Sequence, residues 1–259
     1  EMAFRFAERI GDGNMAAFAA GMFGVQKREK SVPFRCMRRE LPIFFDEEIE
    51  RKNTVAAEAA SAHYFDGLQL MTARETKDTR EGFFLSMKGG HNDESHNHND
   101  VGSIIVYYNA SPLMIDVGVE TYCRETFSDK RYTIWTMQSA YHNLPVVNGA
   151  QEKYGREYRA ENAVFTHDGR ETSLSLELAK AYPKNAKVKS YLRKSLLDRP
   201  RKMIQIEDTF HFENQNNELK YHFQCCEKPE VSPNGILMKT KLGDTVQMTI
   251  DLLVEFTAE

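Results

Sequence analysis

Long apolar runs are missing from this chain of 259 residues, so nothing in it reads as a helix spanning a bilayer. A basic surplus is missing too. The net charge is −4 and the isoelectric point is near 6.1, which argues against nucleic acid as the main partner. Cysteine is sparse: Cys36, Cys123, Cys225 and Cys226 fit neither a zinc knuckle nor a disulfide framework. The adjacent Cys225 and Cys226 would face opposite sides of a strand. No signal peptide is recognisable and no initiator Met is present. Glu1 falls inside what reads as a helix, so the expectation is a mature or truncated piece of a longer protein.

What remains describes an ordinary globular protein, 41% hydrophobic and 28% charged, able to bury one large core. Basic runs occur at Lys27 to Lys30, Arg35 to Arg39 and Arg193 to Lys202. Such runs usually form solvated faces, and the sharper reading is contact with an anionic polysaccharide.

The first stretch reads as helical. Phe4, Ala7 and Ile10, then Met15, Phe18, Ala19 and Met22, recur at three- and four-residue steps. Gly11-Asp12-Gly13-Asn14 separates the two pieces, with Asn14 a candidate N-cap. Residues 47–62 are rich in Ala and Glu and predict a linking helix. So short a helical stretch cannot bury a core alone.

From about Ala62 short apolar or alternating segments take over. They run over residues 68–73, 83–87, 103–108, 112–117, 174–179, 188–196, 203–210, 219–224, 236–240 and 245–254, with turn residues between them. That pattern predicts a mainly β fold, a large antiparallel sandwich.

The chemistry is concentrated between His91 and His142. Three of the eight histidines fall within Gly89 to Asp100, and Asp116 lies in an apolar setting, Leu113-Met114-Ile115-Asp116-Val117-Gly118. If extended, His96, His98 and Asp100 share one face. His98, Asp116 and His142 are the candidate metal ligands, because imidazole nitrogen and carboxylate oxygen suit zinc and also iron or manganese. A buried carboxylate needs a cation or donor nearby. The bland readings are hydrogen-bonded structural histidines and an Asp that only ends a strand. Asp100 either ends a turn in the same way or orients a neighbouring imidazole.

At these residues the sequence resembles the heparinase II/III family of polysaccharide lyases. The matching words are Tyr64-Phe65-Asp66-Gly67, Lys88-Gly89-Gly90-His91-Asn92 and Ser95-His96-Asn97-His98-Asn99-Asp100-Val101-Gly102-Ser103. They continue with Pro112 to Gly118, Lys130-Arg131-Tyr132 and Ser139-Ala140-Tyr141-His142-Asn143-Leu144-Pro145 through Gly149. The resemblance is close over about residues 60–152.

It implies an N-terminal (α/α) toroid followed by a large antiparallel β-sandwich, with polysaccharide in the cleft between them. Residues 1–55 would be the last turns of that toroid plus a linker, and residues 56–259 the sandwich. His98, Asp116 and His142 fall on the family's zinc-site positions. His96 falls on its sandwich-side catalytic histidine. The family's tyrosine and asparagine come from the toroid, and no segment here matches them.

The implied reaction is β-elimination at a uronic acid, with His96 as the base or as the group that polarises the carboxylate. The zinc would hold three segments together, with Lewis-acid work as the alternative. Arg131 would pair with substrate carboxylate or sulfate, or form a surface ion pair. Tyr107, Tyr108 and Tyr122 are more simply core than sugar platforms. The implied partners are an acidic polysaccharide and the toroid. The implied location is the periplasm or outside the cell.

Two rivals accompany this reading. One is a cupin-like oxygenase or isomerase built on a double-stranded β-helix, with His-x-His and a later His holding iron or manganese. The other is a non-catalytic carbohydrate-binding sandwich stapled by a structural metal.

Overall fold

The computed structural model describes residues 2–28, 58–233 and 235–251. They fall into two units. One holds Glu1–Ala60 with Lys77–Arg80, the other Ser61–Thr76 with Glu81–Glu259.

In the first unit, helices α1 (Met2–Ile10) and α2 (Gly13–Arg28) pack Phe4 and Ala7 with Ala16 and Ala20. The expected apolar stripe is only half used, since Ile10 and Phe18 are exposed. The N-cap is Asp12, not Asn14. Gly13 takes the first helical position, and the Asp12 carboxylate accepts the Met15 N–H at 2.9 Å. The Asn14 amide brackets the Glu58 backbone instead, accepting its N–H at 2.8 Å and donating to its carbonyl. Most of the expected helix over 47–62 lies outside the described residues. Its end is not helical, because Glu58 forms an antiparallel bridge with Asp78 and a strand starts at Ala62.

The second unit is built of strands. In chain order they are β1 (Ala62–Phe65), β2 (Leu70–Arg74), β3 (Phe83–Lys88), β4 (His91–Asn92), β5 (Ile104–Tyr108) and β6 (Ser111–Met114). Next come β7 (Pro145–Val147), β8 (Gly155–Arg159), β9 (Glu161–His167), β10 (Glu171–Glu177), β11 (Val188–Asp198) and β12 (Met203–Phe212). The last are β13 (Leu219–Tyr221), β14 (Glu230–Ser232), β15 (Gly235–Lys239) and β16 (Thr245–Met248).

Two sheets make the sandwich, ordered β1-β2-β3-β5-β6 and β12-β11-β10-β9, with antiparallel neighbours. Alternation sends Met71, Ala73, Leu85, Met87, Ile104 and Val106 inward from the first sheet. They share one core with Leu174, Leu176, Tyr191 and Leu197 of the second. Tyr64 of β1 stacks on Phe165 of β9 at 5.0 Å. Smaller pairings, β4 with β8 and β7 with β13, tether loops at one end.

All ten expected strands are present, though those expected at 112–117, 219–224 and 245–254 stop at Met114, Tyr221 and Met248. The strands not expected are β1, β4, β7, β8, β9 and β14; β8 carries charged residues and β9 alternates between half-buried and exposed, so no long apolar run marks either. Within the Arg193–Lys202 run Arg193 is buried, while Lys194, Arg201 and Lys202 are exposed. Arg35 to Arg39 lie outside the described residues. Among the described residues no helix is long and apolar enough to cross a membrane.

Candidate metal centre and the adjoining histidine loop

Two connections meet at the end of the first sheet where β3 stops and β5 begins. Residues 93–103 join β4 to β5. The β6–β7 connection begins with Ile115 and Asp116, then runs through four 3-10 turns between Arg124 and Tyr141 before reaching His142.

His142 is fully buried. Its Nε2 lies 3.1 Å from the Thr136 carbonyl, an oxygen that can only accept, so Nε2 carries the proton. In the neutral ring Nδ1 then offers a lone pair, 3.1 Å from Asp116 Oδ2. No hydrogen-bond donor serves that buried nitrogen. Asp116 Oδ1 accepts the Gly118 N–H at 2.6 Å. The His98 ring centroid is 5.4 Å from that of His142. One ligand atom from each of His98, Asp116 and His142 lies within 4.8 Å of the others.

The electrostatics suit a cation. Burial alone would raise the Asp116 carboxyl. Its contact with the His142 ring, with the Gly118 N–H, brings it below its ordinary value. Burial, then the neighbouring His142 ring, lowers His98 and favours the neutral, ligating imidazole. Two lone-pair atoms facing each other at 3.1 Å repel unless a proton or metal ion lies between them. A buried histidine whose far nitrogen is tied to a carbonyl is the usual arrangement of a metal ligand. The residues present therefore fit a divalent ion.

His96 stands outside this group. It is exposed, and its backbone is left-handed at φ 58°. Its Nδ1 is 3.5 Å from the Tyr122 hydroxyl, and its ring lies against Tyr122 and edge-on to Phe127. The segment is a series of turns, not extended. His96, His98 and Asp100 therefore do not share one face, and the buried Asn97 and Asn99 alternate with the histidines.

Asp100 orients no imidazole. It binds the Lys88 ammonium at 2.6 Å. Burial alone would lower Lys88, but Asp100, with Glu94 and Glu152, raises it. Arg131 forms no surface ion pair among the described residues. Its Nε and Nη2 donate to the Asn97 carbonyl at 2.9 and 2.8 Å, and Nη1 donates to the Thr126 carbonyl at 2.7 Å. It braces the loop between the two histidines. Tyr107 and Tyr108 pack in the sheet against Phe84 and Phe83, whereas Tyr122 is not core but exposed beside His96.

Three supporting residues escape the sequence reading. Asn143 Nδ2 donates to the Ile104 and Ile115 carbonyls at 2.7 and 3.0 Å, and Oδ1 accepts the Gln224 N–H at 2.7 Å. It thereby fixes the neighbours of both His142 and Asp116. Arg193 donates to the carbonyls of Gly102 and Asn143. Glu152 is buried, and burial above all pushes its carboxyl up to about 8. Only Asn143 carried a signal, its place beside His142. Glu152 and Arg193 look like surface charges in the sequence.

The chain belongs to the heparinase II/III-like C-terminal family, whose model matches residues 52–251. The fold is similar to heparan sulfate lyase HepC from Pedobacter heparinus, with TM-score 0.60 and 16% identity over 88% of this chain and 33% of that one. It is also similar to heparinase III, with TM-score 0.57 and 16% identity over 79% of this chain and 33% of that one. The BT4657 heparinase III gives TM-score 0.56 and 16% identity over 80% of this chain and 32% of that one. This chain thus spans about a third of the length of these structures. No curated protein sequence matches it. Family membership sets aside the cupin-like rival.

Proposed function

We propose that this chain is the sandwich wall of a polysaccharide lyase that cleaves uronic-acid-containing glycans, sulfated ones included, by β-elimination. The observation that carries the reading is an exposed His96 beside a converged His98–Asp116–His142 set, in a chain of this family.

The C5 proton of a uronic acid leaves as the C4–O bond breaks. The ring gains a C4=C5 double bond, and the departing oxygen takes a proton. His96 is the base that removes the C5 proton, or the donor that polarises the carboxylate. A positioned base of this kind contributes roughly 10²–10⁴-fold. An imidazole suits this because its ordinary pKa, about 6.5, lies near neutrality. Loop 93–100 turns His96 outward while Arg131 and the buried asparagines hold its neighbours. His98, Asp116 and His142 would hold zinc, which supplies a rigid cross-link between the two connections. The domain division follows the same reading. Residues 1–55 end a helical toroid, residues 56–259 form the sandwich, and the toroid contributes the remaining catalytic groups. The protein acts in the periplasm or outside the cell.

The test is to incubate the intact protein with heparin, heparan sulfate, alginate and related uronates, and to follow ultraviolet absorbance of the unsaturated product. Product from at least one of them is expected. The 259-residue chain alone should give little or none. Retention of an acidic glycan with no product in the whole panel would replace this reading with a non-catalytic binding module.

A further inference from the structure

We propose that Glu152 is a positioning residue for the loop bearing His96 and His98, one of its carboxyl oxygens clamping both ends of that loop. Oε2 accepts the Asn92 side-chain N–H at 2.9 Å and the Val101 backbone N–H at 3.1 Å. Those residues bracket 93–100. The clamp is doubled, since Asn92 Oδ1 accepts the Asp100 N–H at 3.2 Å. The Glu152 backbone takes part as well. Its carbonyl accepts from Asn99 Nδ2 at 3.4 Å, and its N–H donates to Ser139 Oγ at 2.9 Å. One residue thus ties the start, the end and the ligand-side neighbour of the loop to the turn that leads into His142. Asn97 Nδ2 extends the web to Asn99 Oδ1 at 3.3 Å and to the Tyr132 hydroxyl at 3.2 Å.

The chemistry identifies the working form of the acid. Glu152 Oε1 is buried with no hydrogen-bond partner. The charged groups that face the carboxyl are Asp100, which repels its anion, and Lys88, which is already bound to Asp100. The Tyr182 hydroxyl, which feels the Glu152 charge, is spent on the Pro145 carbonyl at 2.6 Å. A carboxylate here has no cation of its own. The neutral acid, with its proton on Oε1, satisfies Oε2 and carries no buried charge. In that form Glu152 is close in shape and bonding to glutamine. Ionisation above about pH 8 leaves an unpaired buried anion, which the loop relieves by opening to water.

The experiment compares the intact wild-type protein with Glu152→Gln and Glu152→Leu by hydrogen–deuterium exchange over residues 92–101. Exchange is corrected for intrinsic rate at pH 7 and pH 9, and zinc affinity is titrated alongside. Glu152→Leu should exchange the loop at least tenfold faster and lose about 10- to 100-fold in zinc affinity. Glu152→Gln should match wild type at pH 7 and be better protected at pH 9. Unchanged loop protection in Glu152→Leu would overturn the clamp, as would a glutamine variant no better than leucine. Should the leucine variant not fold, the glutamine comparison at the two pH values decides alone. None of these readouts uses lyase activity. A panel of glycans left uncleaved would count against the proposed function and leave the clamp standing.

Discussion

Replacing Arg193 with methionine should cost the sandwich about 3–5 kcal/mol, the usual loss when one partner of a buried ion pair is removed. The guanidinium side chain is 1% exposed and its partner Asp208 8%. Nε and Nη2 reach the two Asp208 oxygens at 2.8 and 2.7 Å, a bidentate fork across β11 and β12. Nη1 donates to the Gly102 and Asn143 carbonyls at 3.0 and 2.8 Å. Arg193→Met removes the cation, strands the Asp208 anion and leaves two carbonyls without that donor. Against a typical domain stability of about 5–15 kcal/mol the loss is large. Urea denaturation followed by circular dichroism measures it, provided the slope with denaturant is unchanged. The double variant Arg193→Met/Asp208→Leu should recover most of the stability, because no charge is then buried alone. Recovery should stop short of complete, since Gly102 and Asn143 still lack their donor. A loss below about 1 kcal/mol in the single variant would refute the reasoning, and so would a double variant no more stable than the single.

His98→Ala or His142→Ala should lose the bound metal and, with it, thermal stability, whereas His96→Ala should keep both. Elemental analysis with a melting curve checks this, and a metal-free His96→Ala beside a loaded His98→Ala would reverse the assignment. Arg131→Lys should destabilise the protein by about 1–3 kcal/mol, because one ammonium cannot serve both the Asn97 and Thr126 carbonyls in the fork's geometry. A denaturation midpoint equal to wild type would show that these bonds are dispensable. Glu152 has a raised folded pKa, about 8 against an ordinary 4.5. The folded state therefore binds the extra proton between those values, and stability from this group rises as pH falls from 8 toward 4.5. Glu152→Gln should remove that slope and be more stable than wild type at pH 8. A stability curve identical in the two proteins would rule the effect out.

The sandwich was legible because β2, β3, β5 and β10 to β12 carry inward apolar residues at a period of two, the mark of a half-buried strand. β8 and β9 were not, since charged and polar outward positions dominate them. The convergence of His98, Asp116 and His142 was expected from residue types that bind metals, joined to the resemblance. Their spacing alone does not fold the β6–β7 connection back on itself. Arg131 misled because exposure was assumed for a charge whose partners, the Asn97 and Thr126 carbonyls, are set by loop closure. Asn14 misled more locally, because Asp12 two positions earlier reaches the same helix end.

Loop closure is where this site differs from its scaffold. The sheets would form whether or not His96 pointed outward, since their core lies among Met71, Leu85, Ile104 and Leu174. The loop has no such core. Its order comes from directional bonds to Arg131, Glu152 and Asn92, each weak alone and each blocking water from the next. Such a web holds a backbone in a left-handed turn at His96 that apolar packing would not select. The metal set depends on the same web, because Asn99, next to His98, and Ser139, three residues before His142, both bind Glu152. The order of the loop therefore rests on bonds distinct from the apolar core of the sheets. Variants in the polar web should disturb zinc binding before they unfold the sheets, and variants in the apolar core should do the reverse.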